Sequence, residues 1–378
     1  MKHPLKILHV AGWYPTCKQP FGALWIRRHL DALEKQGVRQ KIHHLDASPT
    51  ANDARFGKEQ YGNFSWRLRW MKMPWKLAEM MAGFMVLFTV CIRAHRYDVI
   101  NFHIAYPNLT KVHWWKRWVK KPLVITEHWS AYHLNFGIED PTKLAPIKRI
   151  FQQNIPVIAV SRALSDDIYS FSGGASYPRY VVPNVVDDVF FLPVNPDLKE
   201  KYLLAINKWA YPKEPIVLLE AWARIQSSFP GCQFRIGGYG AQWCDIEDQV
   251  VKLGIADSVS LLGPLQPEEM AEQMNGATLF LQASAYETFS VVCAEALAVG
   301  CPVVASEVGG IREFVQDEHG VLVSENSVQS WCENIKVAID KNWDREKIQQ
   351  HAWRLFSKEK VGSLYVEVLQ EILKNESD

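Results

Sequence analysis

Two carboxylates in one stretch of this chain are spaced in a way that suits a ligand with both phosphate and hydroxyl groups. Glu287 lies in a polar turn, and Glu295 follows after seven intervening residues, in a segment that predicts a helix starting near Ser290. A helix start presents unpaired N–H groups and a positive dipole end, which favour phosphate. Because a carboxylate is repelled by a neighbouring anion, we expect the glutamates to hold neutral hydroxyl pairs on either side of the phosphates. The stretch predicts a nucleotide sugar site.

The elements that must position these side chains can be read from residues 278–314. Two short apolar runs, TLFLQ and PVVAS, predict strands, and VVCAEALAV between them predicts a helix that ends at Gly300. A turn at Gly309 and Gly310 follows the second strand and predicts a second helix start nearby. Together these elements predict a nest for a diphosphate.

Composition restricts the class of protein. With 378 residues and 48% hydrophobic content, the chain exceeds one ordinary domain, so we expect two. A net charge of +1 gives no general attraction to nucleic acid. Seven cysteines without C-x-x-C or Cys/His finger spacing favour a reducing compartment over a disulfide scaffold or zinc site. The start, MKHPLKILHVAGW, predicts a strand and lacks the regions of a signal peptide, so we expect a cytoplasmic protein.

Strand and helix patterns alternate along both halves of the chain. The first half gives KILHVAG, QKIHHLD, DVINFHI, LVITEH, PVIAVS and RYVVPN as strands, with an irregular polar excursion at residues 47–76. Ser161 is expected to cap the helix RALSDDIYSF. The second half gives LLAIN, QFRIG, SVSLLG, TLFLQ, PVVAS and GVLV. Such alternation predicts two doubly wound, Rossmann-like α/β domains with parallel sheets.

A proline-dotted linker at residues 185–198 is expected to separate the domains. The predicted domains are residues 1–187 and 188–357, and the apolar spacing of the final helix, about residues 358–378, indicates that it docks on the first domain. In two facing domains of this kind, ligands bind at the carboxyl ends of the strands, which predicts a site in the cleft.

The longest apolar run covers residues 77–92 and contains Glu79. It is shorter than the roughly 20 residues that cross a bilayer as a helix, so we expect a buried or groove-covering helix. FSWRLRWMKMPWK precedes it and VHWWKRWVKK follows, which places tryptophans together with cations. Such mixtures favour a membrane interface, although ordinary surface aromatics beside snorkelling cations explain them equally well.

The chain resembles the retaining glycosyltransferases of family 4, which have the two-domain GT-B fold. The specific matches are NKWAYPKEPIVLLEAW, FRIGGYG, LLGPLQPEEM, YETFSVVCAEALAVGCPVVASEVGG and HGVLV. GWYP…FG, HIAYP, TEHWS and VVPNVVD in the first half match less specifically. The resemblance covers nearly the whole chain and is most specific over residues 205–325. It implies that the second domain binds the nucleotide sugar donor and the first domain binds the acceptor.

The resemblance assigns charged residues to the donor. Lys208 and Lys213 fall where the family places an Arg and a Lys on the donor diphosphate, although Lys208 replaces the more usual arginine. Both cations would neutralise the charge that develops on the departing nucleotide diphosphate. Glu295 would hold the ribose hydroxyls and Glu287 the donor sugar. The alternative for Lys208 and Lys213 is that both are solvated loop residues. The alternative for Glu295 is a helix-surface residue, and for Glu287 it is an ordinary turn residue.

The resemblance also implies donor contacts from backbone groups, because glycine permits a close approach. The strand-end glycines Gly238 and Gly240 are expected near the nucleotide, and the next strand end is expected to contact the base. These donor-binding predictions cover Thr288, Phe289 and Ser290, then Val308, Gly309 and Gly310, then Gly238 and Gly240, and finally Gly263, Pro264 and Leu265.

In the first domain, the resemblance points to one turn and three strand-end side chains. Gly12 and Gly22 flank the turn that in the family reaches the donor phosphates and acceptor, although turn glycines often serve backbone shape alone. His128 aligns with a histidine near the reacting sugar, where a neutral imidazole would donate to a sugar hydroxyl and shield an oxocarbenium-like centre. His103 and Glu127 are assigned to the acceptor, with local hydrogen bonding as the alternative.

The predicted mechanism uses Glu287, His128 and Lys213 as catalytic residues. The sequence has no Asp-x-Asp at a suitable strand end and no cluster with ligand spacing, so neither a metal nor another cofactor is expected to be required. Lysines and helix starts would supply the positive charge. The resemblance implies retention of anomeric configuration, with a donor phosphate oxygen deprotonating the incoming hydroxyl on the same face.

Other functions fit parts of the pattern. A sugar-nucleotide epimerase or a phosphorylase with pyridoxal phosphate can share this fold, whereas a dinucleotide oxidoreductase lacks its G-x-G-x-x-G fingerprint here. A catalytically silent nucleotide-sugar-binding module is the alternative from another class, and Val185, where the family usually has glycine, is a departure from the pattern. For the enzyme, we expect a UDP- or GDP-sugar donor and a glycan or lipid-linked acceptor. The lipid-linked case implies peripheral contact with anionic membrane at the inner face of the plasma membrane.

Overall fold

The computed structural model of the protein describes residues 3–14, 22–46, 57–58, 64–67, 84, 87–110, 112–194 and 201–376. The chain divides into two compact units. Unit 1 comprises Met1–Val185 together with Val361–Asp378, and unit 2 comprises Val186–Lys360. The domain limits expected from the sequence, 187 and 357, lie within three residues of these divisions.

Unit 1 contains an eight-stranded sheet in the order β3-β4-β2-β1-β5-β6-β7-β8. Its strands pair in parallel, apart from the antiparallel pair β3 and β4. The burial of β1, β5, β6 and β7 explains why their sequences are nearly continuous apolar runs. The strands are β1 Lys6–Ala11, β2 Arg39–Asp46, β3 Gly57–Lys58, β4 Phe64–Arg67, β5 Val99–His103, β6 Leu123–Glu127, β7 Val157–Ala159 and β8 Arg179–Val181.

The helices of unit 1 follow the expected alternation. The Ser161 Oγ accepts a hydrogen bond from the Leu164 N–H at 3.0 Å, which confirms the predicted cap. Residues 87–93 are also helical, and the remainder of the apolar run, residues 77–83 and 85–86, lies outside the described residues. The other helices are α1 Leu24–Lys35, α2 Val112–Trp118, α3 Pro141–Phe151 and α4 Arg162–Phe171.

The last helix of the chain belongs to unit 1, as its apolar spacing predicts. Within Lys358–Asn375, the side chains of Val361, Tyr365 and Leu369 are buried in one core with Leu5, Ile7 and other residues of unit 1. Burial of this stripe provides the docking surface that an amphipathic helix requires.

Unit 2 contains a six-stranded sheet in the order β11-β10-β9-β12-β13-β14, and the pairs are parallel. The chain runs outward in one direction from β9 and then returns to build the other half from β12. This reversal is the topological switch point at which doubly wound sheets bind their ligands. The strands are β9 Tyr202–Lys208, β10 Gln233–Tyr239, β11 Val259–Gly263, β12 Leu279–Gln282, β13 Val303–Ser306 and β14 Gly320–Val323.

The helices of unit 2 cover a core centred on three fully buried tryptophans, Trp209, Trp222 and Trp331. The helices are α5 Pro215–Ile225, α6 Trp243–Leu253, α7 Pro267–Gly276, α8 Val291–Ala298, α9 Val328–Asp340 and α10 Arg345–Phe356, and the chain then enters α11 Lys358–Asn375. The doubly wound α/β architecture predicted for each half is thus confirmed.

One local prediction is confirmed in a shorter form, and another was wrong. The segment after β13 is helical, as predicted, but it forms only a five-residue 3₁₀ helix, Gly309–Glu313. The segment PVVASEVGGIREF contains two adjacent glycines, which favour a tight turn over helix propagation. The polar excursion after β2 is not wholly irregular, because FSWR alternates apolar and polar residues and forms β4.

Candidate functional site

The predicted donor residues of unit 2 lie around the switch point between β9 and β12. Lys208 is the last residue of β9, and its side chain is exposed. Lys213 lies in the loop that follows, where its backbone forms a β-bridge with Ser284 of the loop after β12. Glu287 is in that same loop, so the two loops are fastened together at the carboxyl edge of the sheet.

Lys213 and Glu287 form a direct ion pair. The Lys213 Nζ donates to the Glu287 Oε1, and both side chains are mostly shielded from solvent, with 16% and 11% exposed. The pair brings the residue predicted to contact diphosphate and the residue predicted to contact sugar into one place. Because partial burial weakens solvent screening, the attraction within this pair is stronger than that of a surface ion pair.

Glu287 is held by neutral donors as well as by the lysine. Its Oε1 accepts hydrogen bonds from the Gln282 Nε2 at 2.7 Å and from the Ser284 Oγ at 3.0 Å. The amino-acid sequence gives no periodic signal for either contact, since both lie within the strand end and turn that precede the glutamate. With three donors directed at one oxygen, the carboxylate is fixed in orientation before any ligand arrives.

A buried chain of hydrogen bonds, called the relay below, runs from Glu287 through Gln282 to Asn207 on the neighbouring strand. Since the carboxylate accepts from the Gln282 Nε2, the Gln282 amide must turn its Oε1 the other way, where it accepts from the Asn207 Nδ2 at 2.7 Å. Asn207 and Gln282 are both buried and lie on adjacent strands, β9 and β12. Neither residue was predicted from the sequence, where the signal for each is a polar side chain at the carboxyl end of an otherwise apolar strand.

Glu295 lies in α8, about 6 Å along the axis from the helix start at 1.5 Å per residue. It is buried with 3% of its surface exposed, so the alternative of an exposed helix-surface residue is excluded. The helix begins where expected, after Ser290, which has φ 69°. Phe289 before it is buried against Phe314 and Phe356, with ring centroids 5.3 and 5.4 Å away. This aromatic packing anchors the start of α8 close in sequence to the loop that carries Glu287. Thr288 is the residue between Glu287 and Phe289.

The glycine turn after β13 supports the Glu287 loop. Gly309 has φ 50°, and a Cβ atom there would overlap the carbonyl oxygen of Glu287. The Gly310 N–H donates to that same oxygen at 3.2 Å, and the Val308 N–H donates to the Ser306 oxygen at 2.8 Å. The sequence predicts that the Val308 and Gly310 N–H groups bind phosphate. Each of them would have to share its present hydrogen bond with the phosphate or give that bond up.

The remaining predicted donor residues of unit 2 lie at the ends of β10 and β11. A Cβ atom at Gly238 or Gly240 would overlap the backbone of the segment that begins at Asn207, so both glycines permit close backbone packing. Gly263 ends β11 with φ 68° and has open space around it. Pro264 and Leu265 then lead into α7. Contact of these positions with a nucleotide stays a prediction.

Unit 1 has its own switch point, between β1 and β5. Gly12 follows β1 and His103 ends β5, where Ala11 and His103 are register partners. A Cβ atom at Gly12 would lie 3.0 Å from the Asn108 amide nitrogen, so the turn packs closely against that side chain. Gly22 is described, but the turn between it and Gly12, residues 15–21, lies outside the described residues.

Buried histidines occupy this edge of unit 1. The His9 Nδ1 and His103 Nε2 are hydrogen bonded at 2.9 Å, and the ring of His103 stacks 6.1 Å from that of His128. The His29 ring lies 5.3 Å from His128, and its Nε2–H donates to the Pro183 carbonyl at 2.8 Å. Desolvation by burial lowers the pKa of His9 to about 3 and of His29 to about 4, and lowers the pKa values of His103 and His128 well below the ordinary 6.5. These rings are therefore neutral at physiological pH.

The tautomer of His128 follows from its partner. The amide Oδ1 of Asn184 can only accept, so the His128 Nδ1–H donates to it at 3.2 Å and the Nε2 carries the lone pair. In this tautomer the buried Nε2 can accept a hydrogen bond but cannot donate one, which is the reverse of the polarity expected from the sequence. Shielding of a reacting centre by the neutral ring stays a prediction.

Glu127 is fully buried at the end of β6. Its Oε1 accepts from the Ala105 N–H at 2.6 Å and from the Tyr132 hydroxyl at 2.5 Å. Desolvation raises the pKa of Glu127 to about 7, against the lowering effect of these hydrogen bonds. The alternative of local hydrogen bonding is therefore realised, and acceptor contact by Glu127 or by the equally buried His103 stays a prediction.

The described residues contain neither a metal-binding cluster nor a helix that could span a membrane. Over that part of the chain, no group of three or more His, Cys, Asp or Glu side chains is arranged to hold a metal ion. Among the described helices, none combines the length and apolar character needed to cross a bilayer.

Family models match both units. The model described as Glycosyltransferase Family 4 matches residues 23–190, and the model described as Glycosyl transferases group 1 matches residues 189–354. Each half of the predicted resemblance is therefore found independently, and the two matches meet at the division between the units.

Two individual proteins are similar to this chain in sequence. A phosphatidylinositol N-acetylglucosaminyltransferase subunit from Arabidopsis thaliana is 24% identical over 66% of this chain and 58% of its own length. N-acetyl-alpha-D-glucosaminyl L-malate synthase from Bacillus anthracis is 24% identical over 74% of this chain and 76% of its own length. The chain thus spans less than two thirds of the Arabidopsis protein.

Among solved structures, Anabaena Alr3699/HepE in complex with UDP and glucose is similar over 97% of this chain and 100% of that chain, with 20% identity and a TM-score of 0.71. The fold is the two-unit GT-B arrangement of parallel α/β sheets. The chain belongs to the group 1, family 4 glycosyltransferases.

Proposed function

We propose that the chain is a retaining glycosyltransferase that moves a hexosyl sugar from a UDP- or GDP-sugar to a glycan or lipid-linked saccharide, without a required metal. The observation that carries the proposal is the Lys213–Glu287 pair, fixed by Gln282 and Ser284 at the switch point of unit 2. A cation and a carboxylate at one strand edge suit a ligand with phosphate on one side and hydroxyls on the other.

Lys213 and Lys208 would stabilise the leaving group. In sugar transfer, the bond between the anomeric carbon and the diphosphate oxygen breaks, and negative charge grows on the nucleotide diphosphate. An ammonium group in a partly shielded site stabilises that charge more than it does in water. Lys208 ends β9 and Lys213 lies in the loop that follows, so both can supply charge at one edge of the sheet.

Glu287 would bind the donor sugar through hydroxyl groups. Its Oε1 is engaged by three donors of the protein, so the second carboxylate oxygen is the one offered to the sugar. Glu295 would hold the ribose hydroxyls from α8. Donor binding then replaces the direct contact of Lys213 with Glu287 by contacts of each residue with its own part of the donor.

The proton balance needs no enzymatic base. The acceptor oxygen forms its bond to the anomeric carbon on the face that the diphosphate leaves, and the proton of the acceptor hydroxyl passes to a phosphate oxygen of the departing group. The polarity of His128, with its Nε2 lone pair, suits it to accept a hydrogen bond from a sugar hydroxyl. The UDP in the Anabaena complex supports a uridine nucleotide as the first donor to test.

The six cysteines of the described residues are free thiols, which supports the proposed cytoplasmic location.

The function is tested by incubating the purified chain with a panel of UDP- and GDP-sugars and analysing the products by mass spectrometry, with and without a chelator. We expect release of one nucleotide diphosphate, even as slow hydrolysis, at an unchanged rate in the chelator. Glu287→Gln, which is isosteric, is the matched inactive control. Anomeric configuration is read by NMR on the transferred sugar.

Three results would contradict parts of the proposal. Donor binding without turnover over a wide acceptor panel would favour the silent binding module. An epimerised nucleotide sugar would identify an epimerase, and an inverted product would exclude retention. Loss of turnover in the chelator, restored by added metal, would exclude metal independence.

A further inference from the structure

A helical segment of unit 1 exposes one apolar face while it buries another. Phe84, Phe88 and Ile92 recur every four residues and are 60%, 60% and 55% exposed. On the other side, Leu87 and Val90 are buried in the unit. Residues four apart lie on one face of a helix, so the exposed side chains form a continuous stripe. Packing within unit 1 explains the buried apolar face, whereas the exposure of the second apolar face requires another explanation.

Phe84 and Phe88 of the exposed stripe lie on one wall of an apolar groove, and α2 forms the other wall. The groove has a volume of about 410 Å³ and includes Phe84, Phe88, Trp114, Arg117 and Trp118 in its lining. Phe84 and Trp114 meet edge to face at 6.4 Å, and the Trp118 side chain is 63% exposed. We name this aromatic groove, defined by these five residues, the α2 groove.

The chain around the α2 groove is strongly basic. Between residues 84 and 121 the sequence contains a single acidic residue, Asp98, and its carboxylate accepts from the Lys6 N–H at 2.8 Å. The Arg117 side chain lies in the groove lining itself. The cations of this stretch are Arg93, Arg96, Lys111, Lys116, Arg117, Lys120 and Lys121.

We propose that the α2 groove docks unit 1 on the surface of a bilayer that contains anionic phospholipid. Tryptophan and phenylalanine side chains partition into the interfacial region, and neighbouring cations bind the headgroups. A second copy of the chain fits this surface less well, because self-association would bring two basic stretches together. The docking concerns a surface of unit 1 and is independent of the sugar transfer proposed for the donor site.

The test is flotation of the full chain with vesicles of phosphatidylcholine alone and of phosphatidylcholine with phosphatidylglycerol. We expect binding to the anionic vesicles at about 50 mM salt and its loss at about 500 mM salt, because screening shortens the range of the headgroup attraction. The double variant Phe88→Ser with Trp118→Ser should lower partitioning at least about tenfold, since two exposed apolar side chains no longer insert. Arg117→Gln with Lys120→Gln should lower it by roughly tenfold or more at low salt.

A matched control removes two exposed apolar residues of unit 2, Val337 and Trp353, by substitution with serine. This variant should float like the parent. Circular dichroism should show the parental fold for all variants, because every substituted side chain is exposed.

Quenching of tryptophan fluorescence by brominated lipid gives a second readout that needs no enzymatic activity, and it should fall in Trp118→Phe while flotation persists. Failure of the parent to bind anionic vesicles at low salt would overturn the proposal. Equal flotation of the parent and the Phe88/Trp118 variant would do the same. A concentration-dependent dimer that this variant abolishes, without vesicle binding by the parent, would identify a second copy as the occupant instead.

Discussion

The two units share a doubly wound architecture but place different chemistry at the carboxyl edges of their sheets. In unit 2 the switch point carries an ion pair, Lys213 with Glu287, surrounded by neutral donors. In unit 1 the switch point carries neutral imidazoles, with His9 and His103 in direct contact and His128 beside them. The edge in unit 2 carries an ion pair, whereas at the edge in unit 1 burial lowers the pKa values of the histidines and leaves them neutral.

This difference suits the two binding tasks proposed for the units. A diphosphate requires positive charge, which a lysine side chain supplies. An uncharged saccharide requires hydrogen-bonding groups without strong charge, and a neutral imidazole offers one donor and one acceptor. These are the groups that the proposed donor role of unit 2 and the proposed acceptor role of unit 1 require.

The largest expected difference between the units is in their response to acid. His9 and His29 have folded pKa values of about 3 and about 4 because burial desolvates the imidazolium, and the unfolded value is 6.5. Above pH 6.5 neither state binds the proton, so the contribution to stability is complete there. As the pH falls below 6.5, the unfolded chain binds protons that the folded unit does not, and stability is lost.

Each such histidine costs about 2 kcal/mol of the free energy of unfolding at about pH 5. His103 and His128 are shifted in the same direction and add to this loss, whereas Glu127, whose folded pKa is raised to about 7, binds a proton in the folded unit first and offsets part of it. Unit 2 has a shifted pair of its own, His319 and His351, which is fewer than the four histidines named in unit 1, so its loss should be smaller. Thermal unfolding between about pH 7.5 and 5, with proteolytic mapping of the opened unit, measures this.

A matched variant sharpens the acid experiment. His29→Gln keeps a side-chain donor for the Pro183 carbonyl but removes one titrating group, so the slope of stability against pH should fall by about one proton near pH 5.5. Acid cleavage that begins within residues 186–360, or an unchanged slope in the variant, would contradict the comparison.

The next largest effect is loss of the charged pair of unit 2. Lys213→Met keeps the length of the side chain but removes its charge, and Glu287→Gln keeps its shape. Each should lower kcat for sugar release roughly 10³-fold, because the stabilisation of the departing diphosphate or the hold on the sugar is removed. Initial rates with the active donor measure the loss.

Lys252→Met is the control, since this exposed lysine lies in the last turn of α6, apart from the predicted site residues. It should retain parental turnover. Near-normal turnover in folded Lys213→Met or Glu287→Gln would mean that the ion pair has no role in sugar transfer. Calorimetry shows whether an inactive variant is folded.

Much of this arrangement is predictable from sequence, and the limit has a physical cause. The strands TLFLQ and PVVAS, the helix after Ser290 and the seven-residue interval of the glutamates are all local patterns. By contrast, Asn207 and Gln282 meet across 75 positions of chain, and nothing local marks either as a partner of the other. The histidines of unit 1 likewise come from separate elements. Local periodicity specifies the elements, whereas contacts between elements depend on strand order and register.

A smaller effect is expected from the relay behind Glu287. Gln282→Met conserves side-chain size but removes one donor from the Glu287 carboxylate, so kcat should fall about tenfold while KM changes less. Asn207→Ala removes only the far hydrogen bond of the relay, which leaves the Gln282 contact with Glu287 in place. Steady-state kinetics of both variants, paired with urea unfolding, separates positioning from stability.

The expected outcome is a similar loss of about 1–3 kcal/mol in the free energy of unfolding for both relay variants, since each leaves a buried polar group unpaired. Only Gln282→Met should show the full loss of kcat. If Asn207→Ala lowered kcat as far as Gln282→Met did, the relay would act through general destabilisation and would not position the carboxylate.

The smallest expected effect distinguishes a helix start that stabilises the fold from one that lies at the site. In unit 1, the Ser161 Oγ caps α4 by accepting from the Leu164 N–H, whereas in unit 2 the Ser290 side chain makes no such cap to α8. Ser161→Ala should therefore cost about 1 kcal/mol of the free energy of unfolding, and Ser290→Ala should cost less than about 0.5 kcal/mol. Urea unfolding at neutral pH measures both. A larger loss at Ser290 than at Ser161 would mean that the start of α8 depends on its serine for stability, and its N–H groups would then be less free to meet a phosphate.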